Sequence, residues 1–204
     1  FFYQYLGPDR LPGDNGDGRM IIGVLENFYL AFNYENFSFF KTSYLYPFNS
    51  SIFFSETLWG LSWLFLILRE VGFDIFLSYK ILFFFVFFLN FLSCYYCCNK
   101  LGLSFNSRMF ASFLFTFSLP IIAQDAHFAL YFRAFIPACI TCLILYFKER
   151  NINYVLYFFI FFSFQVLCGI YTSIFLAIVS CVIIIIFIKI FKKSIFHGIK
   201  DEIR

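Results

Sequence analysis

Two short stretches of this chain gather the groups best suited to chemistry. Residues 11–19 read LPGDNGDGR, with three glycines around the carboxylates of Asp14 and Asp17. Glycine reaches backbone conformations with positive φ at little cost, so such a loop can aim a carboxylate, as general base or as one of two ligands to a shared divalent cation. The same residues also make an ordinary Asp-Gly turn and helix N-cap. Residues 124–127 read QDAH and set Asp125 beside His127. A carboxylate and an imidazole there can handle protons or a divalent cation, or serve as interfacial polar groups. Two cations, Lys80 and Arg133, stand inside apolar runs. Long basic side chains can snorkel toward headgroups, whereas a guanidinium flanked by Phe132 and Phe135 also matches phosphate oxygens in pairs.

The elements that must hold these groups are apolar. Hydrophobic residues make up 62% of the 204, charged residues only 13%, and mean hydropathy is +0.82. A soluble domain carries about a quarter charged residues, so this composition excludes a water-soluble fold and predicts an all-α, polytopic transmembrane helix bundle. The 37 Phe stand where Leu would serve equally well in lipid. A net charge of +3 spread over the chain leaves no nucleic-acid partner expected. The opening FFYQYLGP reads as the exit of a helix, so the chain is expected to be truncated at both ends. The C-x-x-C pairs Cys94/Cys97 and Cys139/Cys142 fall in apolar helical runs and read as packing thiols rather than zinc ligands.

A spanning helix needs about 20 mainly apolar residues. That rule predicts five spans, at 75–98, 107–124, 128–147, 154–168 and 172–191. The third contains Pro137, tolerable at membrane depth where neighbours satisfy the freed carbonyl. Residues 1–74 form an extracytoplasmic first loop bearing amphipathic interfacial helices: Ile21, Val24, Leu25 and Phe28 recur at helical spacing over 20–32, and the twelve uncharged residues 57–68 read as interfacial or re-entrant. Residues 192–204 form a basic cytoplasmic tail.

Orientation follows from the basic residues of short loops, which stay cytoplasmic. Lys100 and Arg108, Lys148 and Arg150, and Lys189 with the tail all fall on one face, while Asp14, Asp17, Glu26, Glu56 and Asp125 fall on the other.

In order, the chain shows GDNGDG, a helix with Glu26, YPF at 46–48, SETLWG, KLGLS, FSLP, QDAH and YFRAFIP. This series resembles the N-terminal part of bacterial multispanning proteins of the type C glycosyltransferase superfamily. The resemblance implies a multi-pass protein of the bacterial inner membrane and a polyprenyl-phosphate-linked sugar as donor. Asp17 would match the loop carboxylate that acts as general base, with Asp14 beside it. Arg133, Lys80, Asp125, His127 and Glu26 would be the substrate-binding residues, the cations stabilising the departing phosphate. The acids are spaced D-x-x-D instead of adjacent or D-x-D, which leaves a divalent cation an open option. The alternative is a non-enzymatic component that translocates lipid or polysaccharide.

On this topology a cysteine at position 104 of a Cys-depleted protein is expected to resist impermeant maleimide in intact cells and to react after permeabilisation. Labelling from outside would refute the orientation.

Overall fold

The computed structural model describes residues 11–12, 16–42, 47, 56–118 and 127–202, with side chains described to residue 190. The described residues are organised in helices: α1 Asp17–Asn33, α2 Trp59–Glu70, α3 Ile75–Lys100, α4 Phe105–Phe117, α5 Phe128–Tyr131, α6 Phe135–Glu149, α7 Asn153–Cys168 and α8 Ile170–Glu202. Extended pairing among them is limited to one isolated bridge between Ser38 and Lys41. Asp14 and Asp125 lie outside the described residues, as does the YPF stretch apart from Pro47.

Among the described residues, three stretches are long and apolar enough to cross a membrane: Ile75–Lys100, Phe128–Glu149 and Ile170–Ile190. Five were expected. The difference is one of length, because α4 has 13 residues and α7 has 16. At 1.5 Å per residue these reach roughly 20 and 24 Å, short of a hydrocarbon core about 30 Å thick. Residues 119–124 of the expected second span lie outside the described residues. Helix α3 starts where Asp74 accepts the Phe76 and Leu77 N–H groups at 2.8 and 3.0 Å. The bond from Leu77 is the chief reason that the Asp74 carboxyl is held below its ordinary range. Helix α4 starts on the Ser104 hydroxyl, which accepts from the Ser107 N–H.

The apolar stripe of α1, expected to face a membrane surface, packs inside the protein. Ile21, Ile22 and Leu25 join Leu61 and Phe65 of α2, Leu82, Phe83 and Val86 of α3, and Phe128 and Tyr131 of α5 in one core. Helix α2, expected as an interfacial segment, buries Leu61, Ser62, Phe65 and Leu66 and exposes Trp63 and Ile67. Its Gly60 faces Cys168 of α7 so closely that a Cβ would lie 2.3 Å from Sγ, so glycine is what lets the two helices approach. Arg69 clamps α1 to α2: its Nε and Nη2 donate to the two oxygens of Glu26, each at 3.0 Å, and its Nη1 donates to the Phe73 carbonyl at 2.6 Å.

The stretch Phe128–Glu149 is not one helix. The backbone leaves the helix at Phe132 and resumes helical geometry at Phe135. Pro137 accounts for the position. A proline ring collides with the carbonyl four residues back, which here is that of Arg133. The proline therefore sits in the first turn of α6, where its missing N–H costs nothing, and the helix is interrupted upstream instead of kinking at the proline. The groups set free are satisfied by side chains of two neighbouring helices. Asn90 donates to the Tyr131 carbonyl at 2.7 Å and accepts the Arg133 N–H at 3.0 Å. Ser93 donates to the Ala134 carbonyl, and Gln165 donates to the Phe132 carbonyl at 2.9 Å. Asn90 and Gln165 are fully buried.

Asn90→Leu removes one donor and one acceptor while leaving the Tyr131 carbonyl and Arg133 N–H buried. At about 1–3 kcal/mol for each group left unsatisfied, the variant is expected to lose about 2–6 kcal/mol of stability, read as a lowered unfolding midpoint in detergent. An unchanged midpoint would show that the break repacks freely.

Candidate functional site

Three segments distant in sequence meet at one end of the bundle. Helix α1 begins with Asp17, α5 is preceded by His127, and the turn from α7 into α8 brings Tyr171. Together with Glu56, just ahead of α2, these line a cavity of about 430 Å³ whose remaining wall includes Met20, Ile21, Ala129, Leu130 and Phe175. His127 Nδ1 lies 2.8 Å from Asp17 Oδ2, and both side chains are about half-exposed. Asp17 occupies the first turn of its helix, where the backbone N–H groups favour a negative charge. The Gly-rich loop thus delivers its second carboxylate to a helix N-terminus, with Gly16 as the flanking cap residue.

Glu56 is buried, and its carboxylate is committed to the start of α8. Oε2 accepts the Ile170 N–H at 2.6 Å and Oε1 accepts the Tyr171 N–H at 3.2 Å. These are among the first N–H groups of α8, which have no intrahelical partner. The same turn is tight. A Cβ on Gly169 would lie 2.9 Å from the Ala129 carbonyl oxygen, so glycine lets the turn rest against α5. Thr172 and Ser173 hydroxyls both donate back to the Gly169 carbonyl. The wall opposite Asp17 and His127 is therefore fixed by a carboxylate acting on backbone.

Of the residues singled out in the sequence, the structure brings together Asp17 and His127, and Glu26, Lys80 and Arg133 do not line their cavity. Glu26 has both oxygens bound by Arg69 and lies outside this cavity. That contact, above all the hydrogen bonding to Glu26, raises the affinity of Arg69 for its proton. Lys80 is half-buried in the second turn of α3. Arg133 stands at the helix break, its guanidinium 5.4 Å above the ring of Phe115 in α4. Its Nε and Nη2 are buried and meet no hydrogen-bond partner among the described residues. Asp14 and Asp125 fall outside the described residues, so the D-x-x-D pair cannot be placed as a unit. Among the described residues no group of three His, Cys, Asp or Glu side chains is arranged to hold a metal ion. Cys94, Cys97, Cys139 and Cys142 are buried free thiols.

Sequence reasoning missed Glu56 and Tyr171. A glutamate flanking an apolar run reads equally well as a boundary charge, and no spacing within one chain ties residue 56 to residue 170. The partners of the helix break, Asn90, Ser93 and Gln165, were not singled out either. The signal available was the proline four residues beyond Arg133, which implies carbonyls needing donors.

Two further cavities lie in the bundle. The first, about 540 Å³, includes Trp59, Trp63 and Phe164, and the second, about 690 Å³, extends toward Tyr96, Lys100 and Tyr154. They share Leu89, Phe132 and Phe135 and so border the helix break from the α3 and α7 sides.

No protein-family model, no curated protein and no solved structure matches this chain.

Glu56→Gln keeps the shape but turns an NH₂ toward one of two backbone N–H groups. Loss of one such buried bond costs about 1–3 kcal/mol. Hydrogen exchange at Ile170 and Tyr171 is expected to accelerate by the corresponding factor while α3 exchanges as before. Unchanged protection would mean that α8 holds its start without the carboxylate.

Proposed function

We propose that this chain forms part of an integral membrane glycosyltransferase of the bacterial inner membrane, which transfers a sugar from a polyprenyl-phosphate donor to a hydroxyl on an extracytoplasmic glycan or lipid. The observation that carries the reading is the convergence of Asp17 and His127 in one cavity at the end of an otherwise apolar bundle. Transfer to an alcohol needs a proton acceptor within hydrogen-bond reach of the hydroxyl, and this pair supplies one. The leaving group is an anionic lipid phosphate, whose departure is eased by a nearby cation in a water-poor setting. Arg133, with two buried donors awaiting a partner among the described residues, suits that role. The joined apolar cavities suit a prenyl chain.

In this reading the acceptor oxygen attacks the anomeric carbon as its proton passes to the Asp17–His127 pair. The bond between that carbon and the phosphate oxygen breaks, and the electron pair leaves with the lipid phosphate. The configuration inverts. A hydrophilic conduit has less support: the polar residues Asn90, Ser93 and Gln165 are engaged with backbone carbonyls.

The test uses the full-length protein in nanodiscs with polyprenyl-phosphate hexoses and pentoses, reading release of polyprenyl phosphate in the presence of extracted envelope lipid. Asp17→Asn is expected to lower turnover by roughly two to four orders of magnitude. Arg133→Lys keeps the charge but loses paired hydrogen bonds, and is expected to weaken donor binding by about tenfold, the equivalent of one such bond. Near-normal turnover by correctly inserted Asp17→Asn protein would remove the catalytic assignment.

A further inference from the structure

A carboxylate bonded to an imidazole is a different base from either group alone. We propose that His127 is the proton acceptor of the cavity and that Asp17 is its positioning residue, an inference that rests on the transferase reading and assigns the base within it. A neutral imidazole has one nitrogen that donates and one that accepts, while an ionised carboxylate only accepts. With Nδ1 at 2.8 Å from Asp17 Oδ2, the proton of that contact belongs to Nδ1. The lone pair is then on Nε2, which engages no protein group among the described residues. His127 also lines the cavity, so the free nitrogen is available to a bound hydroxyl.

Three features favour the imidazole over the carboxylate. Free imidazole is the stronger base by about two to three pH units. Asp17 stands in the first turn of α1, where the helix N-terminus favours a negative charge. One of its oxygens is already taken by His127. Among the described residues, the other titratable groups on the cavity wall are Glu56 from the segment before α2 and Tyr171 from α8. Both oxygens of Glu56 are engaged by backbone N–H groups of α8. The step balances as an inverting transfer: the hydroxyl proton goes to Nε2, the oxygen to carbon bond forms, the carbon to phosphate-oxygen bond breaks, and the proton returns to solvent after the lipid phosphate leaves.

Two measurements separate this inference from the reading beneath it. The ¹⁵N signals of His127 in nanodiscs at alkaline pH are assigned as those lost in His127→Gln. The expected signature is a proton on Nδ1 and a bare Nε2, with the proton shifting toward Nε2 in Asp17→Ala. A proton on Nε2 in the unaltered pair, or a tautomer indifferent to Asp17→Ala, would overturn the dyad whatever the activity. In the transfer assay with polyprenyl-phosphate hexoses, His127→Gln is expected to lower kcat by roughly two to four orders of magnitude with little change in donor KM, and to abolish the acid limb of the pH profile. Wild-type kcat in His127→Gln alongside a crippled Asp17→Asn would overturn the assignment and leave the transferase reading standing, with Asp17 as base. No transfer by unaltered protein that shows the expected tautomer would overturn the transferase reading and, with it, the catalytic use of the pair.

Discussion

A backbone that leaves the helix in an apolar interior carries N–H and C=O groups that water cannot reach, each costing several kcal/mol if unpaired. Here those groups belong to Tyr131, Phe132, Arg133 and Ala134, and their partners are Asn90, Ser93 and Gln165. Much of the bundle depends on that exchange. It ties α3 and the last turn of α7 to the junction of α5 and α6 by bonds that work only in one register. Gln165 also donates to the Thr172 hydroxyl, so the break is connected to the first turn of α8. Packing alone would tolerate sliding of these Phe-rich helices, because one aromatic ring resembles another; the side-chain amides do not.

The break also sets where the candidate site forms. Because α5 ends at Tyr131, it is a single turn that can be inserted between α1, α3 and α8, with Phe128 and Tyr131 buried against Tyr79, Phe83 and Phe87 of α3. His127 is carried on the near end of this anchored turn and Arg133 on the far end, so imidazole and guanidinium hold fixed positions about one short helix apart. On the other side, Arg69 and Glu26 lock α1 to α2 and thereby fix the N-terminus of α1 that bears Asp17. Glu56 does the same for the start of α8. The polar contacts of this chain are few, and most of them position backbone.

The outward faces differ in kind. Phe159, Ile174, Ile178, Val182 and Ile185 of α7 and α8 are exposed apolar residues, as are Phe76, Phe88 and Leu92 of α3. A water-facing surface could not be built this way, whereas lipid solvates it without cost. The charge bias read from the loops has a geometric parallel, in that residues 17, 56, 127 and 171 share one cavity, and Asn99 and Arg108 pair with each other between α3 and α4.

Composition and hydrophobic runs by themselves determined the helical class, the start of α3 and the helical spacing of the apolar stripe of α1, because these depend on local periodicity and on apolar length. The Gly-rich loop and the QDAH stretch also drew attention to Asp17 and His127 as groups able to handle protons. What only the tertiary structure decided were relations between distant residues. That Asp17 meets His127, that Glu26 is consumed by Arg69, that Glu56 caps α8 and that Asn90 and Gln165 close the gap upstream of Pro137 all require knowing which helices are neighbours. Helix neighbours in an apolar bundle are chosen by the fit of interchangeable side chains and by a few long-range hydrogen bonds, and neither leaves a periodic trace along the chain.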